Sequence, residues 1–274
     1  MSETKVNILP VPTFSSLGVN YAKRDIKRYE TVKASISPSD NRSVVLFADE
    51  KTLSVGELRV KVSRGVKLKL VQVFERQSPY VSKLDAELED NAELELIQIY
   101  IGGSDTVSEV VTRLDGAKSR FTAVIGCTLD GEDKLDINLI AEHRGRKSES
   151  SIEIGSVLRG RSQKIFKGTI DFKNGSSGAK GSEHESALLL DNRVRNRTVP
   201  VILCEEENVE GNHGATVGRL DENHIFYMRS RGISEEKIYE LAARSQLMKA
   251  VSRIDDDTAK ARVYKALGWG DADE

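Results

Sequence analysis

A repeated strand pattern constrains the fold of this 274-residue chain more than any other feature. The segments VKLKLVQVF (66–74) and AELELIQIY (92–100) match almost position by position and lie 26 residues apart. Both alternate apolar and polar side chains, which is typical of a β-strand that buries one face. A chain that repeats such strands at a fixed interval stacks each strand on its own earlier copy, as a β-helix does.

Apolar doublets interrupt the alternation at matching places in these segments and in LDINLIAE (135–142). The doublets are Leu70-Val71, Leu96-Ile97 and Leu139-Ile140. We interpret them as corners at which the inward face of the chain changes over. A β-sandwich remains the alternative architecture, and the repeated phase shifts favour the β-helix.

Turn signals, rather than helices, separate the strands. Examples are GGSD (102–105), LDGED (129–133) and KNGSSGAKGS (173–182). Because no ten-residue amphipathic helix lies between the strands, the pattern argues against a doubly wound α/β fold. We therefore predict a β-helix core over 46–218, preceded over 1–45 by an arm or a short helix.

The last segment, 219–274, changes to a helical period. We expect Asp221 to cap a first helix that stops at Gly232, and Ser234 to cap a second. The apolar stripe of the second helix consists of Ile238, Leu241, Ala242, Ser245, Met248 and Val251. A shorter helical segment ends at Gly268. Such a tail packs on its own core or binds a partner.

Composition excludes several classes of function. The formal net charge is −2 and aromatic residues make up 5%, which argues against a nucleic-acid-binding face. The sequence has no apolar run of membrane-spanning length and no signal-peptide pattern, and its two cysteines form no CxxC motif. These features predict a cytoplasmic protein that binds neither nucleic acid nor membrane.

No local catalytic motif appears. The glycines Gly211, Gly214 and Gly218 fit neither nucleotide-binding template, and no GxSxG is present. A polysaccharide-cleaving β-solenoid would need a carboxylate pair that the sequence does not single out. We therefore expect a protein that is not an enzyme.

The histidines and cysteines have structural interpretations first. We expect SEHES (182–186) to be a solvated polar strand, and His143 and His224 to be exposed surface residues. Cys127 lies in an apolar strand and is expected in the core. Burial is also the default for Cys204, and a partly accessible position at the edge of a strand is the alternative.

A longer match gives the end of the chain a more specific interpretation. GNHGATVGRLDENHIFYMRSRGI (211–233) closely resembles the C-terminal signature of the SufB/SufD family of iron–sulfur cluster assembly proteins. The preceding segment (187–210) is similar to the corresponding part of that family, and LPVPTFSSLGVN (9–20) is similar to the N-termini of its short members.

The resemblance implies a mainly β fold, a right-handed parallel β-helix with C-terminal α-helices. It implies docking of a SufC-type ABC ATPase on the helical tail, and we expect the contacts at Phe226, Tyr227, Arg229, Arg231, Ile238 and Leu241. It also implies dimerisation through β-helix edges near the C-terminal end, as a homodimer or with a SufB/SufD paralogue, and a role in building or holding a nascent iron–sulfur cluster.

The resemblance also implies candidate cluster ligands. His213 matches a histidine that D-type members carry near the proposed cluster site, and a neutral imidazole can ligate iron. The family usually has a cysteine at the position of Gly211. Two cysteines cannot form a four-thiolate site. Cys204, Glu205 and His213 are the candidate ligands, and these residues from each of two subunits would supply part of such a site. The alternative is a structural adaptor for the ATPase that holds no cluster.

Overall fold

A computed structural model describes residues 3–13, 15–26, 30–48, 54–75, 79–102 and 105–269. Part of the predicted GGSD turn and the last five residues lie outside the described residues. An N-terminal arm contains the antiparallel strands β1 (Thr4–Val6) and β2 (Ala22–Arg24), with a 3-10 helix at Ser15–Leu17 between them. The described residues of the arm, 3–13 and 15–26, form no α-helix.

Two parallel sheets form the body of the molecule, and seven described strands alternate into each as the chain advances. The arm-side sheet contains β3 (Glu30–Ile36), β5 (Ser54–Val62), β7 (Tyr80–Leu88), β9 (Asp105–Leu114), β11 (Lys134–His143), β13 (Gln163–Phe172) and β15 (Arg195–Cys204). The helix-side sheet contains β4 (Arg42–Ala48), β6 (Lys67–Phe74), β8 (Glu93–Ile101), β10 (Arg120–Leu129), β12 (Glu149–Leu158), β14 (Lys180–Leu189) and β16 (Glu210–Gly218).

The two segments that match in sequence are neighbours in the helix-side sheet. Lys67 pairs with Glu93 and Phe74 with Tyr100, so the repeat of 26 residues is one turn of the solenoid. Stacking of each strand on its earlier copy confirms the parallel β-helix and excludes the β-sandwich. Of the first two solenoid strands, β3 ends before position 46 and β4 crosses it. The domain boundaries remain a prediction.

The interpretation of the doublets as corners is wrong. β6 and β8 run straight through Leu70-Val71 and Leu96-Ile97. Leu96 belongs to the cluster between the sheets, whereas Ile97 packs on the outer face against the C-terminal helices. The alternation of faces continues unbroken. Both residues of the doublet are apolar because this sheet is covered on both faces.

Three helices follow the solenoid: α1 (Glu222–Ser230), α2 (Glu235–Val251) and α3 (Asp257–Ala266). α2 and α3 pack on the outer face of the helix-side sheet, whereas α1 contacts α2 and has no buried residue. The predicted caps are confirmed, since Asp221 accepts hydrogen bonds at the start of α1 and Ser234 at the start of α2. Among the described residues, no helix is long and apolar enough to span a membrane.

Candidate functional site

The C-terminal end of the β-helix is open. β15 and β16 are the outermost strands of the two sheets, and no described strand pairs with their free edges. Cys204 is the last residue of β15 and His213 lies in β16, so one terminal turn carries both candidate ligands. A terminal turn leaves its inward side chains uncovered, because no further turn stacks on it.

The strand register shows which way these side chains face. Cys204 pairs with Phe172, and His213 pairs with Glu183. Paired residues of parallel strands share a face, and both Phe172 and Glu183 are buried inside the solenoid. Cys204 and His213 therefore continue inward-facing columns, yet both are exposed at the open end. The expectation that Cys204 is buried is wrong, because that expectation supposes a covered strand.

Gly211 lies close to the interior beside these residues. A Cβ atom at this position would lie 3.1 Å from a ring carbon of Phe172 and 3.2 Å from a methyl group of Ile202. The cysteine that the family usually has here would thus require those side chains to give way. Glycine lets β16 approach the interior closely at the cost of a potential thiolate ligand.

Glu205, the third expected ligand, is exposed and already has a partner. Lys173 Nζ lies 3.0 Å from a Glu205 carboxylate oxygen and also 3.0 Å from Asp171. The hydrogen bond from Lys173 holds the pKa of Glu205 below its ordinary value. Glu205 is therefore anionic at neutral pH, and binding a metal would require it to leave Lys173.

Within the described residues, no group of three or more His, Cys, Asp or Glu side chains lies close enough to hold a metal ion. The terminal turn brings Cys204, Glu205 and His213 to one end of the fold without bringing them together as a single-chain site. A soft thiolate and an imidazole are nevertheless suitable ligands for iron.

A buried polar network behind the terminal turn has no counterpart in the sequence-based predictions. Lys164 Nζ lies 2.5 Å from a Glu185 oxygen and 2.6 Å from Ser156 Oγ, and Thr198 donates to the other Glu185 oxygen. Lys164 and Glu185 have no exposed side-chain surface. Strand alternation could have revealed the lysine, because Lys164 shares its parity with the buried Phe166.

The expectation of a solvated SEHES strand is wrong. Glu183 and Glu185 point inward and are buried, while His184 between them is exposed. Burial, and then the nearby Glu185 carboxylate, raise the pKa of Glu183 to about 8. Space for its carboxylate comes from Gly168, where a Cβ atom would collide with it. Glu183 is therefore largely protonated at neutral pH, on the strand next to His213.

The predictions for His143 and Cys127 have opposite outcomes. His143 is fully buried between Ser148 and Ser150, each 2.8 Å from a ring nitrogen, so the prediction of an exposed residue is wrong. Burial lowers the pKa of His143 to about 4, which keeps the ring neutral. The prediction of a core position is confirmed for Cys127, and burial raises the pKa of this thiol to about 11.

The helical tail presents apolar surface to solvent. Phe226 is 75% exposed, Tyr227 57% and Leu241 41%, and Arg231 lies over the Tyr227 ring at 5.2 Å. Arg229 lies 3.5 Å from Glu235, which ties α1 to the start of α2. Ile238 is only 2% exposed and therefore lies outside this surface. Exposed aromatic side chains beside arginines are typical of protein interfaces.

Comparisons with known proteins agree with the C-terminal signature. Residues 37–246 match the family model described as the SufBD core domain of the SUF system for FeS cluster assembly. The chain is 27% identical to the iron–sulfur cluster assembly protein SufD of Bacillus subtilis (strain 168) over 191 residues, which cover 69% of this chain and 43% of that protein.

Other relatives give similar values. The chain is 28% identical to SufB of the same organism over 154 residues, which cover 56% of this chain and 33% of that protein. It is 27% identical to a SufBD family protein of Mycobacterium tuberculosis (strain ATCC 25618 / H37Rv) over 198 residues, 72% of this chain and 23% of the relative. The chain thus spans less than half the length of these curated relatives.

Proposed function

This chain belongs to the SufBD core family of the SUF system, and from that premise we propose that it is a subunit that supports iron–sulfur cluster assembly without being an enzyme itself. The match over 37–246 carries the proposal. The exposed Cys204 and His213 on the open terminal turn support it, because cluster assembly needs thiolate or imidazole ligands that a cluster can reach and leave.

The proposed ligand set is completed between two subunits. One chain offers Cys204, Glu205 and His213 on one turn but no described three-residue metal group. Two chains that meet through their terminal turns would double the number of donors and cover the open ends. The second subunit is a copy of this chain or a SufB/SufD paralogue, and the cluster is a transient cargo.

Anaerobic reconstitution tests the role of His213. The two-subunit complex should lose most of its iron and sulfide when His213 is replaced by Ala, because a nitrogen ligand is removed. The fold should be unaffected, because His213 is exposed. His224→Ala is the matched control, since His224 is also exposed but lies on α1. Equal iron content in both variants would contradict the proposed ligand.

We also propose that a SufC-type ABC ATPase binds the exposed tail surface formed by Phe226, Tyr227, Arg229, Arg231 and Leu241. Movement of the ATPase would pass through α1 and α2 to the solenoid. The double variant Phe226→Ala/Tyr227→Ala should weaken binding at least tenfold in a pull-down titration, because aromatic anchors dominate interface energies. Lys260→Ala on α3 is the control, and equal binding by both variants would contradict this surface.

A structural adaptor is the second candidate, and Gly211 in place of the usual cysteine favours it. The adaptor would retain the ATPase and take up no iron, alone or in the complex. Iron bound stoichiometrically and lost on Cys204→Ser would contradict it. We place both candidate functions in the cytoplasm, where both of the free cysteines would stay reduced.

A further inference from the structure

The N-terminal arm crosses the outer face of the arm-side sheet along the axis of the solenoid. At one end of its path, Val6 and Ala22 pack on a column of valines, Val55, Val81 and Val107. At the other end, Leu9 and Val19 pack against Val199, with Ile165 and Val201 beside them. The arm therefore spans strands from β5 to β15, the strand that ends at Cys204.

Between its two apolar contacts, the arm inserts Asn7 into a polar socket. Asn7 is fully buried, with φ of 54°. Its Nδ2 donates to the carbonyl oxygen and to Oδ1 of Asp136, both at 2.8 Å. Its carbonyl oxygen accepts from Lys167 Nζ at 2.9 Å, and its backbone N–H donates to Glu109. The side chain and the backbone of Asn7 are thus both hydrogen-bonded to the sheet.

The socket is built into three neighbouring turns. Glu109, Asn138 and Lys167 occupy one column of the register, on β9, β11 and β13. Asn138 donates to the carbonyl oxygen of Ile8 at 3.1 Å, and Lys167 also lies 2.7 Å from Asp136 with its side chain fully buried. Asp136 on β11 is the register partner of Val107, so a carboxylate follows the valines in this column. Asn7 binds at this residue.

This arrangement specifies a ligand. Apolar contacts are not directional, so a valine or leucine could slide along the sheet face at small cost. Buried polar groups need their partners, and here the partners are backbone and side-chain atoms of one asparagine. A second constraint is the positive φ of Asn7, which asparagine tolerates better than most residues.

We propose that the outer face of the arm-side sheet is a peptide-binding site whose ligand is the chain's own N-terminal arm, keyed by Asn7 and holding the terminal strand β15 in place. The arm is an intramolecular ligand, separable from the solenoid. On the opposite sheet, α2 and α3 pack through an apolar cluster flanked by ion pairs such as Lys249 with Glu153, whereas the arm places a fully buried asparagine against the sheet.

Cleavage of the full chain tests the site. A specific protease sequence inserted between Ile26 and Glu30 separates the arm from the solenoid after folding. We expect the cleaved arm to co-elute with the solenoid in gel filtration. With Asn7→Ala or Lys167→Met, the arm should dissociate about tenfold faster or more, since a buried partner is lost. Lys180→Met, which removes an exposed lysine paired with Glu210, is the control.

A second variant and a second measurement separate binding from misfolding. Asn7→Gly keeps the positive φ and the backbone contacts, so its dissociation rate should lie between those of the native chain and Asn7→Ala. Amide hydrogen exchange over 195–204 should accelerate when the arm leaves. The proposal is overturned if the native arm dissociates on cleavage, if Asn7→Ala retains it equally, or if exchange in β15 does not change.

Discussion

Strand parity decides the chemistry of the individual polar residues inside the solenoid. Glu183 and Glu185 are two positions apart and therefore share the inward face that apolar side chains occupy in earlier turns. Glu185 is neutralised by Lys164, whereas Glu183 has a raised pKa as a result of burial and the Glu185 charge. One glutamate is thus paired and the other holds a proton.

Glu183 makes stability depend on pH. Its pKa is about 8 in the folded chain against an ordinary value of 4.5, so folding favours the protonated form. The free energy of unfolding should fall as pH rises through this window, by on the order of a few kcal/mol. Glu183→Gln should remove that slope. Urea unfolding of both proteins between pH 4.5 and 9 measures the difference, and parallel curves would contradict the assignment.

Lys164 should be costly to remove because its partner stays buried. Lys164→Met leaves Glu185 uncompensated inside the solenoid, and the free energy of unfolding should drop by about 3–5 kcal/mol. Lys164→Met/Glu185→Gln should cost less than the single change, since no charge remains. Chemical denaturation checks the order of the two variants. A double variant less stable than Lys164→Met would show that the cost does not come from the uncompensated Glu185 charge.

At the scale of elements, glycines set how closely α2 approaches the helix-side sheet. A Cβ atom on Gly155 would lie 2.2 Å from the Gln246 carbonyl oxygen, and one on Gly126 would lie 3.3 Å from the Ala250 side chain. The amphipathic helix supplies apolar side chains, and the sheet supplies the space. The sequence of α2 does not indicate which strands it packs on, and the glycines of the sheet do not indicate which helix approaches them.

Gly155→Ala should displace α2. Since the obstructing atom belongs to the helix backbone, we expect a loss of roughly 1–3 kcal/mol in the free energy of unfolding. Gly218→Ala is the matched control in β16, because a Cβ atom there meets nothing within 4 Å. Thermal denaturation of both variants tests this, and equal melting temperatures would mean that α2 packs more loosely than described.

At the scale of the whole molecule, the outer faces of the two sheets are covered, whereas the C-terminal end of the solenoid is not. The arm covers one face, the helices cover the other, and the free edges of β15 and β16 remain unpaired among the described residues. An exposed strand edge invites pairing with another chain. The dimer contact that we propose would use the free edges of β15 and β16.

Amide hydrogen exchange at several protein concentrations tests this contact. If two chains meet through β15 and β16, amides over 195–218 should become more protected as concentration rises, while those of β10 in the middle of the sheet should not change. The same experiment with a SufB/SufD paralogue added distinguishes a heterodimer. Protection independent of concentration and of the paralogue would contradict dimerisation through this edge.

The sequence determined the elements of this protein. Strand alternation, the repeat of 26 residues, Asp221 and Ser234 as helix caps, and the long signature around His213 are local patterns, and local patterns identify strands, helices and a family. The tertiary structure decided burial and neighbours. The corners inferred from the doublets, an exposed His143, a buried Cys204 and solvated Glu183 and Glu185 were wrong because each depends on what covers a strand. That cover comes from neighbouring turns and from the C-terminal helices. Phe172 lies against His143, Lys164 lies against Glu185, and α2 and α3 pack on the side of the sheet that carries Ile97. No local pattern specifies these neighbours.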